Sequence, residues 1–181
     1  MLRIGIAGYG FMGRMHHRCW RGVGEAAVVA VCDADRRAID DAASRRGNIA
    51  GAAEDIDLTG VAVYDDFATM IGSERLDAVS ITVPTYQHAA LVLAALAAGV
   101  HVLCEKPMAL DLDTADAMIA AAERHGRVLQ IGHCIRFWPE YAKAKELVAS
   151  GQYGRVLAAS FTRLAATAIT KPASWFLDQQ R

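Results

Sequence analysis

The sequence has no excess of charge of either sign and no long hydrophobic run. Its 19 basic and 20 acidic side chains give a formal net charge of −1, so neither a nucleic acid nor an anionic membrane surface is an expected partner. No apolar stretch reaches the roughly 18 uncharged residues that a membrane span requires. The composition, 54% hydrophobic and 22% charged over 181 residues, instead predicts a folded protein with a small-molecule ligand.

Cysteine is scarce, and no two cysteines are close in sequence. Cys19, Cys32, Cys104 and Cys134 form no C-x-x-C pair, which argues against a zinc motif or a disulfide framework. No His, Cys and carboxylate residues cluster at ligand spacing, so we expect no metal site. The first residues, Met1 to Ala7, enter a strand pattern at once and leave no room for a secretion signal. We therefore predict a cytoplasmic protein.

What the sequence does contain is an alternation of short β-branched runs with longer alanine-rich segments, which is typical of βαβ units and a parallel sheet. Six strands are predicted: Leu2 to Ala7, Ala27 to Cys32, Val61 to Tyr64, Ala78 to Val83, Val100 to Cys104 and Val128 to Gly132. Helices are predicted between them, at Phe11 to Trp20, Asp35 to Arg46, Asp66 to Ile71, Tyr86 to Ala98 and Thr114 to His125. Gly47 to Gly60 is interpreted as a surface loop.

The pattern changes after Gly132. A helix over Pro139 to Ser150, a turn over Gly151 to Gly154 and a strand over Val156 to Arg163 are predicted, and they do not fit as a seventh unit of the first sheet. We expect residues 1–132 to form one domain. Residues 133–181 are expected to be the beginning of a second, incomplete domain, which makes the chain a fragment of a longer protein.

The strongest local signal is the G-x-G-x-x-G run from Gly8 to Gly13, which follows the first strand and opens the first helix. In this setting Gly8 permits the tight turn, Gly10 lets the backbone approach a pyrophosphate, and Gly13 packs the helix on the strand. The main chain of Phe11 and Met12 is at the helix start, where N–H groups face an anion. The motif predicts a dinucleotide site.

An acidic residue follows the second strand. Asp33 lies 20 residues beyond Gly13, the spacing at which a carboxylate accepts hydrogen bonds from the adenine ribose, and it favours NAD. Arg36 and Arg37 come directly after it and are compatible with a contact to the adenine or a 2′-phosphate, or with a solvated helix face. Both NAD and NADP therefore remain open.

A second group of polar residues follows later strands. Thr82, Val83 and Pro84 end the fourth strand, Glu105 and Lys106 the fifth, and His133 and Arg136 follow the sixth. In a doubly wound sheet of order 3-2-1-4-5-6 these strand ends line the ligand crevice. We predict that Lys106, partly desolvated there with a lowered pKa, exchanges a proton with a hydroxyl or carbonyl. Glu105 either hydrogen-bonds the nicotinamide ribose or tunes the lysine.

Three histidines carry less information. His16, His17 and His88 are interpreted as helix-face or capping residues, because none of them sits at a strand end. Asp111, Asp113 and Asp116 are interpreted as helix-start acids.

Together these residues resemble the Gfo/Idh/MocA oxidoreductases. The matching pieces are Gly8 to Gly13, Asp33, Thr82-Val83-Pro84 with His88, Glu105-Lys106-Pro107, Gly132-His133, Arg136-Phe137, Gly151 to Gly154 and Trp175-Phe176. The resemblance implies an α/β fold with a Rossmann doubly wound parallel sheet, followed by the start of an incomplete α+β second domain. It implies that Lys106 is catalytic, that Glu105 and Pro84 border the nicotinamide, and that the substrate is a sugar, sugar acid or cyclitol. We add Arg37, His88 and Arg136 to the expected cofactor contacts, and His133 and Arg163 to the expected substrate contacts.

Full members of that family continue for about as long again, with an Asp and a His that would follow Arg181. An NAD(P)-dependent dehydrogenase, homo-oligomeric at full length, is the leading hypothesis. A dinucleotide-binding regulator without turnover is the alternative, since the resemblance includes a transcriptional inhibitor on the same scaffold. A methyltransferase that binds S-adenosylmethionine ranks last, because it does not explain Glu105-Lys106-Pro107.

Overall fold

A computed structural model describes residues 1–40, 56–162 and 164. Its centre is a six-stranded, all-parallel sheet in the order β3-β2-β1-β4-β5-β6, so the predicted doubly wound arrangement is confirmed. The strands are β1 (Leu2–Ala7), β2 (Ala26–Cys32), β3 (Ala62–Tyr64), β4 (Ala78–Ile81), β5 (His101–Cys104) and β6 (Leu129–Ile131).

Helices cover both faces of the sheet, so the strands have apolar side chains on both faces. On β2, Ala30 and Cys32 belong to one core cluster, and Val31, which points to the opposite face, belongs to another. The larger cluster brings β4 and β5 together with the two long helices that follow them, and the smaller one packs Tyr9 and Ile39 on β1 and β2. Packing on both faces therefore fixes the positions of the strand ends relative to one another.

The helices follow the strands in alternation. They are α1 (Phe11–Arg21), α2 (Arg37–Asp40), α3 (Phe67–Ser73), α4 (Thr85–Ala97), α5 (Leu112–His125) and α6 (Pro139–Ala149), with a 3₁₀ turn at Cys134–Phe137. Asp66 and Asp111 cap α3 and α5 by accepting hydrogen bonds from the amides of Thr69 and Thr114, at 2.6 and 2.7 Å. The helix-start role predicted for Asp111 is confirmed.

The strand predicted over Val156 to Arg163 is wrong for the residues that the structure describes. Residues 156–162 form no helix and belong to no sheet, and an isolated strand without a partner is not stable in water. Leu157 and Phe161 are 84% and 81% exposed. The turn that precedes this segment is confirmed, with the Gly154 amide donating to the Gly151 carbonyl at 2.9 Å. Helix α6 buries no residue.

Several predictions fall outside the described residues: the second half of the helix predicted to end at Arg46, most of the Gly47 to Gly60 loop, Arg163 and the Trp175 segment. The domain boundary at residue 132 stays a prediction. Within the described ranges no helix is both long and apolar enough to cross a membrane.

Candidate functional site

The glycine loop between β1 and α1 is packed tightly against the loop that follows β4. Gly8 has a φ of +85°, and a Cβ there would lie 2.7 Å from the Val83 amide nitrogen. A Cβ on Gly13 would overlap the Gly8 carbonyl oxygen. At Gly10, by contrast, a Cβ would meet nothing within 4 Å. Two glycines are therefore required by packing, and the third leaves open space in front of the helix start.

Thr82 joins the two loops. Its hydroxyl donates to the Gly8 carbonyl at 2.6 Å, and its amide donates to the Ala7 carbonyl at 2.8 Å. Strand β4 ends at Ile81, two residues before the predicted end. Thr82 and Val83 thus lie directly beside the glycine loop, and the cofactor contact predicted for them stays a prediction.

Asp33 lies at the end of β2 with its carboxylate turned towards the glycine loop. One oxygen accepts the Tyr9 amide at 2.7 Å, and the other accepts the Asp35 amide at 2.9 Å. Both contacts fix the carboxylate at the crevice edge while each oxygen keeps a second acceptor position. The ribose contact predicted for Asp33 stays a prediction with a suitable geometry.

Arg37, which we predicted to contact the cofactor, is exposed and pairs with Asp35. Its Nε and Nη2 donate to the two Asp35 oxygens, both at 2.9 Å. The hydrogen bond from Arg37 lowers the pKa of the Asp35 carboxyl. Arg37 therefore already has a carboxylate partner, and the cofactor contact predicted for it stays a prediction.

These features fit a dinucleotide. The first amides of α1 have no acceptor within the helix, the space in front of Gly10 is open, and the Asp33 carboxylate is held beside it. A pyrophosphate requires this combination of free amides and close backbone approach, and a ribose requires the carboxylate.

Glu105 lies at the centre of a buried network that the sequence did not reveal. One of its oxygens is 3.1 Å from His16 Nε2, and the other accepts the Lys106 amide at 3.0 Å. The His16 and Glu105 side chains are only 12% and 13% exposed. Burial acts to raise the pKa of Glu105, but the hydrogen bonds from His16 and the Lys106 amide outweigh it and the pKa lies below its usual value. Gly132 packs against the same carboxylate, because a Cβ there would be 3.3 Å from it.

His16 lies within α1, in agreement with its interpretation as a helix-face residue, and the face on which it lies meets Glu105. It links α1, the helix that opens at the glycine loop, to the segment that carries Lys106. Its Nδ1 is buried, and none of residues 1–40, 56–162 and 164 gives it a hydrogen-bond partner.

Lys106 lies two residues beyond β5 and is exposed. The partial desolvation that we predicted for it is wrong for the described chain, because the residue is exposed. Its main-chain amide, by contrast, is held by Glu105. His133 and Arg136, after β6, are also exposed.

A second buried network lies behind the glycine loop. The Tyr9 hydroxyl is 2.6 Å from His17 Nδ1, and the Arg14 guanidinium lies over the Tyr9 ring at 5.0 Å from its centroid. Arg14 also donates to the Ile39 carbonyl at 2.6 Å. Desolvation raises the pKa of Tyr9 to about 12, against an opposing effect of Arg14. From the sequence we interpreted His17 only as a helix-face or capping residue and did not single out Tyr9 or Arg14, which flank the motif glycines Gly8, Gly10 and Gly13.

The contrast between Gly13 and Gly10 is testable. Gly13→Ala forces the Gly8 carbonyl away, so we expect a loss of about 1–3 kcal/mol in unfolding free energy. Gly10→Ala should leave stability unchanged within about 0.5 kcal/mol and weaken NAD binding by roughly tenfold, since its methyl group occupies the space in front of α1. Chemical denaturation and titration calorimetry measure both quantities. Equal stability losses in the two variants would contradict the packing argument.

No group of three or more His, Cys, Asp and Glu side chains in residues 1–40, 56–162 and 164 is placed to hold a metal ion. The four cysteines are free thiols.

Comparison with known proteins agrees with this geometry. A family model described as an oxidoreductase family with an NAD-binding Rossmann fold matches residues 2–133. The chain belongs to the Gfo/Idh/MocA oxidoreductase family. The D-apiose dehydrogenase of Paraburkholderia graminis is 37% identical over 149 residues, which are 82% of this chain and 36% of that protein. The inositol 2-dehydrogenase of Rubrobacter xylanophilus is 37% identical over 155 residues, 84% of this chain and 41% of that protein.

Solved structures of the Gfo/Idh/MocA family superpose on this chain. The scyllo-inositol dehydrogenase of Lactobacillus casei, solved with NAD(H) and scyllo-inositol, aligns with a TM-score of 0.69 and 29% identity, covering 85% of this chain and 42% of that one. An oxidoreductase of Agrobacterium radiobacter, solved with NAD⁺, aligns with a TM-score of 0.70 and 26% identity, over 83% of this chain and 40% of that one. The chain thus spans about two fifths of the length of these relatives.

Proposed function

We propose that this Gfo/Idh/MocA chain is the cofactor half of an NAD-dependent oxidoreductase that acts on a secondary alcohol or ketone of a sugar, sugar acid or cyclitol. The observation that carries the proposal is the connection from the glycine loop through α1 and His16 to Glu105 and Lys106. It joins a dinucleotide cradle to an exposed ammonium group. The named dehydrogenases among the relatives support a substrate with CH–OH groups.

In this proposal the amides at the start of α1 hold the pyrophosphate and Asp33 accepts the adenine ribose hydroxyls. Thr82, Val83 and Pro84 line the nicotinamide half, with Arg136 near it. The nicotinamide, when bound, accepts or delivers the hydride, and the protein supplies orientation and electrostatics. His133 and Arg163 stay predicted substrate contacts.

Lys106 would move the proton that accompanies hydride transfer. Its ammonium group has three donors and no acceptor, so it can polarise a carbonyl and protonate the developing alkoxide. In the oxidative direction the neutral amine would take the hydroxyl proton. The fixed main chain of Lys106 and its exposed side chain suit this role.

NAD rather than NADP is the proposed cofactor. A 2′-phosphate would bring negative charge against the Asp33 carboxylate, and Arg37 is already paired with Asp35. The charge of Asp33 and the pairing of Arg37 with Asp35 both favour a ribose with two free hydroxyls over a ribose that carries a 2′-phosphate.

Asp33→Ala tests the cofactor assignment. We expect the NAD dissociation constant to rise by about 10- to 100-fold, because hydrogen bonds to a charged acceptor are lost, and the NADP constant to change by less than about threefold. Titration calorimetry on folded protein measures both, and Asp116→Ala, which removes an exposed carboxylate on α5, is the control. Equal losses for the two cofactors, or a wild-type protein that binds neither, would refute the assignment.

We also propose a cytoplasmic location, which four free cysteines support, and self-association of the whole protein. The self-association stays a prediction.

A further inference from the structure

His88 contacts two of the loops that form the crevice. It is the fourth residue of α4 and is 1% exposed. Its Nδ1 lies 2.9 Å from the Pro107 carbonyl oxygen, and its Nε2 lies 2.9 Å from the Val83 carbonyl oxygen. Val83 follows β4, and Pro107 comes directly after Lys106. One buried ring thus spans the exits of two neighbouring strands.

In both contacts the histidine ring must be the hydrogen-bond donor. A carbonyl oxygen only accepts, so each contact is a hydrogen bond only when the facing ring nitrogen carries a proton. A leucine or phenylalanine would fill the same buried volume without this polar requirement. Direct contact with a cofactor, which we had predicted for His88, is not available to a ring that is 1% exposed.

The main chain around Lys106 is consequently held at two points. Glu105 accepts the Lys106 amide at 3.0 Å on one side, and His88 faces the next carbonyl, that of Pro107, on the other. Between them the Lys106 side chain is left exposed. A catalytic group needs such a fixed base, because small displacements of a reacting group cost large factors in rate.

We propose that His88 is a positioning residue for Lys106, acting through a hydrogen bond from Nδ1 to the Pro107 carbonyl. The inference rests on the role of Lys106 in the proposed function. It assigns His88 to the orientation of the active-site lysine rather than to the cofactor.

Two amide substitutions separate the two ring contacts. The side-chain NH₂ of asparagine lies near the position of a histidine Nδ1, so His88→Asn retains the donor to Pro107. The NH₂ of glutamine lies near Nε2, so His88→Gln retains the donor to Val83.

We expect amide hydrogen exchange at Lys106 and Met108 to be about tenfold faster in His88→Gln and within about threefold of wild type in His88→Asn. Exchange at Val79 in β4 should not change in either, and the same substitutions at the exposed His125 serve as controls.

A purely structural His88 would accelerate exchange throughout the sheet, without rescue by asparagine. Faster exchange throughout the sheet would overturn the proposal. So would equal exchange at Lys106 and Met108 in the two variants, or no change in either variant. The wild-type protein gives an independent test that no folding defect affects: a two-bond ¹H–¹⁵N spectrum should show a proton on Nδ1 of His88, and a bare Nδ1 would also overturn the proposal. None of these measurements uses NAD, so a failure to bind NAD would refute the proposed function alone.

Discussion

Methionine in place of Lys106 is expected to lower turnover with NAD⁺ and a cyclitol by about 10²- to 10⁴-fold, the contribution typical of a positioned acid or base. Affinity for NAD⁺ should change by less than about threefold, because the glycine loop and Asp33 hold the adenine half without Lys106. Methionine keeps the length of the side chain and removes the charge and the proton. The loss should therefore appear in kcat.

The measurement needs a complete active site. A chimaera in which residues 1–150 replace the matching segment of the Rubrobacter xylanophilus inositol 2-dehydrogenase, 37% identical to this chain, supplies one. Lys143→Met is the matched control, since Lys143 is exposed on α6 and its ammonium group donates to the Glu146 carboxylate at 2.7 Å. A Lys106→Met chimaera with unchanged kcat and weakened NAD⁺ binding would make Lys106 a cofactor ligand instead.

The sheet could be predicted from the sequence because its signals are local. Each strand is a short apolar run bounded by turn residues, and the helices between them impose right-handed parallel crossovers. The glycine motif was also recognisable from its spacing alone, although the contacts that require Gly8 come from Thr82 and Val83 after β4 and the contact that requires Gly13 comes from the Gly8 carbonyl. The strand ends shifted by one or two residues, as at β4, where Thr82 leaves the sheet to bond the Gly8 carbonyl.

The site was harder to predict, because its decisive contacts join residues that are far apart in sequence. His16 and Glu105 are separated by 89 positions, and nothing in a single sequence shows which face of α1 meets the end of β5. The exposure of Lys106 depends likewise on what covers the sheet edge. The strand prediction for the segment after Gly154 was wrong because it relied on a local signal alone. The alternating apolar residues favour a strand, but no described strand pairs with them.

Acid should destabilise the protein through His17. This ring is 3% exposed, and desolvation together with the charges of Arg21 and Arg14 lowers its pKa from 6.5 to about 4. The Tyr9 hydroxyl keeps its proton, because burial raises its pKa to about 12, so it donates to His17 Nδ1 at 2.6 Å. Protonating His17 would remove that acceptor and place a second cation beside Arg14.

The sign of the pH dependence follows from the lowered pKa. Between pH 6.5 and about 4 the unfolded chain binds a proton at His17 that the folded chain does not, so the stability present above pH 6.5 is lost as the pH falls through this window. At roughly 1.4 kcal/mol per pH unit, the loss reaches about 3 kcal/mol near pH 4. His17→Asn, whose side-chain oxygen lies near the position of Nδ1 and can still accept from Tyr9 but does not titrate, should lack this component. Urea unfolding of both proteins from pH 7.5 to 4 measures the difference, from which the carboxylates common to both cancel. Parallel stability curves for the two proteins would show that His17 takes up its proton at the same pH in the folded and unfolded chains, and that burial does not lower its pKa.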